Sequence, residues 1–166
     1  HYICAIIKLK FIMKSTLLAL VSLLFVSCLS DTNIEIQPVD YSIQNEKEIT
    51  DYIVAKNLTA VKSDTGLYYV INELGEGKQP TATSEVTVVY KGYFTSGKIF
   101  DQSKPEGISF SLQQVIKGWT EGISYFKEGG SGVLLMPSHL GYGSGGRPGI
   151  PGGSVLVFDV KLITVK

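Results

Sequence analysis

Alternating apolar and polar residues predict β-strands throughout the chain after Gly66. In "EVTVVYKGYF" the side chains of Val86, Val88 and Tyr90 recur at every second position and therefore share one face of a strand. The run "SVLVFDVKLITV" has the same period and directs four apolar side chains inward: Leu156, Phe158, Val160 and Leu162. Two further strands are predicted for "GLYYVINEL" and "GVLLMP", and "TSGK" is predicted to turn the chain into "IFDQS".

A helical period interrupts the strands at one place. In "QQVIKGWTEGISYF" four apolar residues are three or four positions apart, namely Ile116, Trp119, Ile123 and Phe126. This spacing predicts a short helix with one apolar face. Mostly antiparallel strands packed against one short helix make an α+β fold.

A second helical pattern precedes Gly66. The segment "NEKEITDYIVAKN" begins with Asn45, and Glu48 follows three residues later, which is a variant of the capping box found where helices start. A stripe at helical spacing follows, formed by Ile49, Tyr52, Ile53 and Lys56. We expect this short amphipathic helix to pack either on the following domain or on a second copy of the chain, and the sequence leaves both open.

The first 27 residues have the pattern of an export signal. Lys14 precedes "STLLALVSLLFVSC", an apolar run too short to span a bilayer comfortably. Met13 is a plausible start, with residues 1–12 as upstream sequence read through in translation, although a hydrophobic anchor over residues 2–29 is the competing interpretation. We predict a signal peptide over residues 1–27, a polar tether with the short helix over 28–65, and a folded domain over 66–166.

Cys28 ends the apolar run after "LFVS", which resembles a bacterial lipoprotein box. An acylated cysteine that carries more than one lipid chain anchors a protein stably to a membrane. The pattern predicts lipidation at Cys28 and a place in the bacterial cell envelope, as a periplasmic or outer-membrane lipoprotein. The alternative is an ordinary cysteine of the signal peptide. No cysteine follows residue 28, so the folded part requires no disulfide.

Charge and composition exclude several classes of function. Twelve of the fifteen basic residues and all fifteen acidic residues lie at or after Asp31, so this part has a net charge of minus three and no basic patch for nucleic acid. The loop "GYGSGGRPGIPGG" satisfies the dinucleotide-binding pattern, but its prolines exclude the helix that such binding requires. His139 has no cysteine nearby, and Ser144 has no obvious base, so neither a metal site nor covalent catalysis is predicted.

Aromatic residues close to glycines are the remaining candidates for a functional site: Tyr90, Phe100, Phe110, Trp119, Tyr142 and Phe158. For any one of them alone, a hydrophobic core is the competing interpretation. Trp119 is the only tryptophan and lies between Gly118 and Gly122. We expect these small neighbours to leave one face of the indole uncovered.

Four motifs in order resemble the FKBP-type peptidyl-prolyl isomerases, the rapamycin-binding immunophilins: "VVYKGYFTSGKIFDQS", "FSLQQVIKGWTEGI", "MPSHLGYG" and "VLVFDVKL". The resemblance runs from about Gly66 to Lys166. It implies a strongly twisted antiparallel sheet wrapped around one short helix. It also implies an apolar pocket made by Tyr90, Phe100, Asp101, Phe110, Val115, Ile116, Trp119, Tyr142 and Phe158, with Ile150 as a further substrate contact.

The resemblance also implies how the pocket groups act. Trp119 forms the floor, the backbone N–H of Ile116 and the hydroxyl of Tyr142 donate to substrate carbonyls, and Asp101 lies near the imide. The glycine-rich loop of residues 141–153 becomes a flap over one side of the pocket. This loop departs from the family pattern, because Arg147 stands where a histidine or a small residue is common. We expect this departure to affect substrate selectivity more than the pocket itself.

The implied activity is cis-trans isomerisation of Xaa-Pro bonds in exported proteins, by a non-covalent mechanism and without a cofactor. The implied partners are proline-containing polypeptides, macrolides such as rapamycin, and a membrane that holds the lipid anchor. One alternative is a non-catalytic chaperone or peptide-binding module that uses the same apolar surface. Another is a structural envelope lipoprotein, which would have its aromatic pocket closed by side-chain packing.

Overall fold

The structure is a computed structural model that describes residues 39–166. The predicted signal peptide, the predicted lipidation site at Cys28 and the beginning of the predicted tether lie outside the described residues. Within residues 39–166, no helix has both the length and the hydropathy needed to cross a bilayer.

Two helices and seven strands form in the described chain. The helices are α1 (Ser42–Ala55) and α2 (Lys117–Ile123). The strands are β1 (Val61–Lys62), β2 (Tyr68–Glu73), β3 (Glu85–Tyr93), β4 (Ile99–Gln102), β5 (Ile108–Ser111), β6 (Ser131–Met136) and β7 (Leu156–Val165). Short 3₁₀ helices cover Leu112–Gln114 and Ser138–Leu140.

All seven strands belong to one antiparallel sheet. Its order is β1-β2-β6-β7-β3-β4, and β5 pairs with β3 outside this path. β7 pairs with β6 on one side and with β3 on the other, so it occupies the middle of the sheet. The predicted α+β fold, an antiparallel sheet with a short helix, is confirmed. β5 was not predicted from the alternation of residues.

The sheet is covered on both faces. On one face, α2 contributes Trp119 and Ile123 to a core that includes Val86 and Val88 of β3. The inward positions of β7 lie in the same core, as the alternation predicted: Leu156, Phe158, Val160 and Leu162. On the other face, Ile49 of α1 is fully buried in a second cluster that contains Tyr68, Leu135, Val155 and Val157. β7 is therefore buried on both sides along its first half.

α1 packs on the sheet, which is one of the two arrangements that the sequence left open. The helix begins at Ser42, three residues before the predicted start, and the side chain of Asp40 accepts the N–H of Ser42 at 2.8 Å. Asn45 is therefore not a capping residue, and the predicted capping box is wrong. The side chain of Asn45 instead points into the protein and is fully buried.

Gly118 and Gly122 face the sheet, whereas the sequence interpretation expected them to uncover one face of the Trp119 indole. A Cβ atom on Gly118 would lie 2.5 Å from Met136, and one on Gly122 would lie 2.6 Å from Leu134. Both glycines therefore face β6 and allow α2 to approach the sheet closely. They do not uncover the indole of Trp119, so that part of the sequence interpretation is wrong.

We expect the substitution Gly122→Ala to lower the free energy of unfolding by about 1–2 kcal/mol. Overpacking against Leu134 costs about 1–3 kcal/mol, which outweighs the gain of about 0.5–1 kcal/mol in helix propensity. Urea denaturation measures the change. Gly145→Ala is the matched control, because a Cβ atom there would have no neighbour within 4 Å. Equal unfolding midpoints for the two variants would contradict this explanation.

Candidate active site

A cavity of about 500 Å³ opens beside α2. Its walls come from four strands, from the segment before α2 and from the flap loop of residues 141–153. The lining residues are Tyr90, Phe100, Asp101, Ile108, Phe110, Gln114, Val115, Ile116, Trp119, Tyr142, Arg147 and Phe158. The cavity is thus mostly aromatic and aliphatic, with a few polar groups along its edge.

Trp119 lies at the base of this cavity. Only 4% of the residue is exposed, and its indole contacts three rings edge-on. The ring centroids of Tyr90, Phe110 and Phe158 lie 5.0, 5.3 and 5.2 Å from that of the indole. Aromatic pairs favour such edge-to-face geometry, so the three rings and the indole hold one another in place.

The sheet brings the wall residues together from distant parts of the chain. Gly92 of β3 pairs with Phe158 of β7, and Phe110 of β5 lies opposite Val86 of β3. The ring of Phe100, in β4, packs edge-on against Phe158 at 5.5 Å. The strand register therefore fixes which rings face the cavity.

Ile116 is the residue that directly precedes α2. Its backbone is extended, and its carbonyl accepts the N–H of Trp119 at 2.9 Å. Among the hydrogen bonds that join residues 39–166, none uses the N–H of Ile116. This donor is consequently available at the edge of the cavity that Ile116 lines.

Tyr90 and Asp101 form the polar pair of the cavity. The Tyr90 hydroxyl donates to Oδ2 of Asp101 at 2.8 Å, and Oδ1 of Asp101 accepts the N–H of Gln102 at 2.9 Å. Burial disfavours the charged phenolate of Tyr90, and the hydrogen bond to Asp101 holds its proton, which together raise the pKa of Tyr90 to about 12. Tyr90 therefore stays neutral and keeps donating to Asp101 at physiological pH.

The flap loop contributes Tyr142 and Arg147 to the cavity. The Arg147 guanidinium lies 4.6 Å from the centroid of the Tyr142 ring, close enough for a cation–π contact. Paired hydrogen bonds between the backbones of Arg147 and Ile150, at 2.8 and 2.9 Å, form the tip of the loop. The loop is therefore folded back on itself, with its aromatic and cationic side chains at the cavity.

Nine of the ten pocket residues expected from the sequence line this cavity, and Ile150 does not. Ile150 is 97% buried in the core and lines a neighbouring depression with Phe94 and Lys98. The sequence interpretation did not include three cavity residues, namely Ile108, Gln114 and Arg147. Arg147 was noted as a departure in the flap loop, but nothing in the sequence pattern marked the other two.

The polar groups of the cavity are suited to binding and orientation. Tyr142, Gln114 and Arg147 offer side-chain donors, and Asp101 offers a fixed carboxylate. Within residues 39–166, no three histidine, cysteine or acidic side chains lie together as a metal site requires. An apolar cavity with a few oriented polar groups is typical of a ligand-binding pocket.

Comparisons with known proteins identify similar sequences and folds. Residues 76–163 match the sequence model of the FKBP-type peptidyl-prolyl cis-trans isomerases. FKBP-type peptidyl-prolyl cis-trans isomerase FkpA of Escherichia coli K12 is 47% identical over 114 residues, which are 68% of this chain and 42% of that protein. The chain therefore matches less than half the length of this curated relative.

Two solved structures have the same fold. The crystal structure of FkpA from Escherichia coli matches with a TM-score of 0.69 and 42% identity, over 76% of this chain and 61% of that one. A peptidyl-prolyl cis-trans isomerase from Pseudomonas syringae pv. tomato matches with a TM-score of 0.67 and 30% identity. This second match covers 78% of the present chain and 98% of the Pseudomonas chain.

Proposed function

Because the chain belongs to the FKBP-type peptidyl-prolyl cis-trans isomerases, we propose that it accelerates rotation about Xaa-Pro bonds in the cavity above Trp119. The observation that carries this proposal is the open aromatic cavity itself. The indole lies at its base, and a volume of about 500 Å³ remains for a ligand. A structural protein without a ligand would have this volume filled by its own side chains.

The reaction requires rotation and no bond cleavage. Resonance keeps the Xaa-Pro bond planar, and the barrier to rotation of about 18–20 kcal/mol makes the uncatalysed reaction slow. The planar state carries more charge separation, which water stabilises, whereas the twisted state has lost this resonance. A cavity with aromatic walls removes that water and so favours the twisted state over the planar one.

The polar groups orient the chain that carries the proline. In the proposed complex, the proline ring lies on Trp119 while the N–H of Ile116 and the hydroxyl of Tyr142 donate to substrate carbonyls. Loss of resonance leaves the imide carbonyl carbon more positive, so the nearby carboxylate of Asp101 stabilises the twisted state. By binding the flanking chain, Ile116 and Tyr142 place the Xaa-Pro bond beside Asp101.

We further propose that the domain acts on exported polypeptides in the bacterial cell envelope. The proposal depends on the signal pattern of residues 1–27 and on the lipoprotein-like position of Cys28. Mass spectrometry of the protein recovered from membranes tests it, because acylation adds the mass of the lipid chains to Cys28. If the recovered protein carries no lipid at Cys28, the proposed lipid anchor is wrong, but the isomerase proposal is unaffected.

A protease-free assay on an Xaa-Pro peptide tests the activity. We expect the wild type to accelerate isomerisation, and rapamycin to inhibit it over the concentration range in which it changes the fluorescence of Trp119, the only tryptophan. Phe100→Ala removes a wall of the cavity and is expected to slow the reaction. Tyr125→Ala removes a half-buried ring that stacks on Tyr69 outside the cavity, and it is expected to retain activity. No acceleration by the wild type would refute the proposal.

The second candidate is a chaperone that holds unfolded chains on the same aromatic surface. The observation in its favour is the cavity's open apolar wall, which includes the half-exposed Ile108. Full suppression of aggregation by an Asp101→Ala variant with reduced isomerase activity would support holding without catalysis. Equal loss of both activities in that variant would favour the isomerase.

A further inference from the structure

Asn45 is a fully buried polar residue on α1, outside the residues that match the family model. Its side-chain Nδ2 donates to the carbonyl of Gly153 at 2.8 Å, and its Oδ1 accepts the N–H of Ser138 at 2.8 Å. Both ends of the amide therefore have partners that are about a hundred residues away in sequence. A buried amide without such partners would be costly, so the two bonds hold Asn45 and its partners together.

The two partners of Asn45 lie at opposite ends of the flap loop. Ser138 precedes the loop, and its carbonyl accepts the N–H of Gly143 at 2.8 Å. Gly153 ends the loop, and its N–H donates to the carbonyl of Gly143 at 2.9 Å. A single side chain of α1 thus joins the base of the loop that carries Tyr142 and Arg147.

Tyr41, which precedes α1, reinforces this connection at Gly153. A Cβ atom on Gly153 would lie 2.4 Å from the Tyr41 ring, and the φ angle of Gly153 is +76°. A residue with a side chain would be strained there and would displace Tyr41. The start of α1 and the end of the flap loop are therefore closely packed.

Within residues 39–166, Asn45 makes the one side-chain hydrogen bond that joins α1 to the flap loop, and α1 also contacts the sheet. Ile49 packs into the apolar cluster with Leu135 and Val157, and Glu46 accepts hydrogen bonds from Lys62 and Tyr68. These contacts hold the helix to the sheet. Asn45 is consequently the side chain of α1 whose removal would loosen the loop while the helix keeps its main apolar anchor.

We propose that Asn45 is a positioning residue for the isomerase site, which sets the place of Tyr142 over the cavity through the flap loop. This inference rests on the proposed function. Tyr142 is proposed to bind the chain beside the proline in both the planar and the twisted states. Weakening such uniform binding raises KM and leaves kcat nearly unchanged.

Two substitutions of Asn45 test the proposal. Asn45→Ala removes both hydrogen bonds, whereas Asn45→Asp keeps the acceptor for Ser138 and places a carboxylate oxygen against the carbonyl of Gly153. For both variants we expect KM for an Xaa-Pro peptide to rise by about fivefold to tenfold, with kcat within about twofold of the wild-type value. We also expect faster hydrogen exchange of the Gly153 amide, measured by NMR on folded protein.

Ile49→Ala is the matched control, because it weakens the docking of the same helix through apolar contacts alone. We expect it to lower stability without changing KM or the exchange of the Gly153 amide under conditions in which all variants are folded. An equal rise in KM for Ile49→Ala, or unchanged KM and exchange for Asn45→Ala, would overturn the proposal. An inactive wild type would refute the proposed function. The exchange rates of the Gly153 amide in the Asn45 and Ile49 variants do not depend on activity, so they test separately whether Asn45 holds the flap loop.

Discussion

The variant Trp119→Ala is expected to lose about 3–5 kcal/mol of unfolding free energy, and its kcat/KM for Xaa-Pro peptides is expected to fall by about a hundredfold. The indole is almost completely buried and supports the rings of Tyr90, Phe110 and Phe158. Its removal takes away the surface on which the proline ring is proposed to lie. Urea denaturation and the peptide assay measure the two effects separately.

Phe126→Ala separates the loss of the cavity floor from a general loss of stability. Phe126 belongs to the same core and is fully buried, but it does not line the cavity. A similar destabilisation of about 3–5 kcal/mol is therefore expected, with nearly normal kcat/KM at a temperature where the variant is folded. If both variants lost activity in proportion to their stability, Trp119 would have only a structural role.

The second large effect is expected for Asp101→Ala, whose kcat/KM should fall by about tenfold to a hundredfold. Hydrogen bonds to a charged group contribute about 1.5–3 kcal/mol, and Asp101 also provides the proposed charge beside the imide. Loss of the carboxylate also lowers the pKa of Tyr90 from about 12 towards 10, because the phenol loses its acceptor and a nearby negative charge. Tyrosinate absorbance, taken as the difference from a Tyr90→Phe variant, measures this shift.

Asp159 supplies a matched control for Asp101. Its Oδ1 accepts the hydroxyl of Tyr93 at 2.9 Å, which is the same type of contact, but neither residue lines the cavity. Asp159→Ala is therefore expected to retain normal kcat/KM. Asp101→Asn keeps an acceptor for Tyr90 and removes the charge alone. Full activity in Asp101→Asn would contradict an electrostatic role of the Asp101 carboxylate. Asp101 would then act only by positioning Tyr90.

The long strands could be predicted from the sequence because each has a distinct apolar face. Val86 and Val88 in β3, and the alternate residues of β7, lie in the core as their spacing indicated. β5 has no such signal, since Ile108 is half exposed and only four residues pair with β3. Its strand conformation depends on a neighbour that local periodicity does not reveal.

The cavity was predictable mainly through motifs, and the parts that were missed depend on long-range contacts. The motifs indicated Trp119 and the rings around it, while the exposed Gln114 and Arg147 line the cavity only because of their place in the fold. The role of Asn45 also depends on long-range contacts and could not be predicted from the sequence. Its local sequence suggests a capping residue, but its partner Gly153 is 108 positions away, and no local pattern reports such a bond.

The central place of β7 has a consequence for the time at which this protein can fold. β7 is the last of the seven strands to be synthesised, yet β6 and β3 meet only through it. While a ribosome is still producing residues 156–165, the two halves of the sheet have no common partner. Because β7 joins the two halves and its pairing is non-local, we expect the sheet to form only after translation of this region is finished. An unfolded polypeptide is also the form that can pass through a translocation channel.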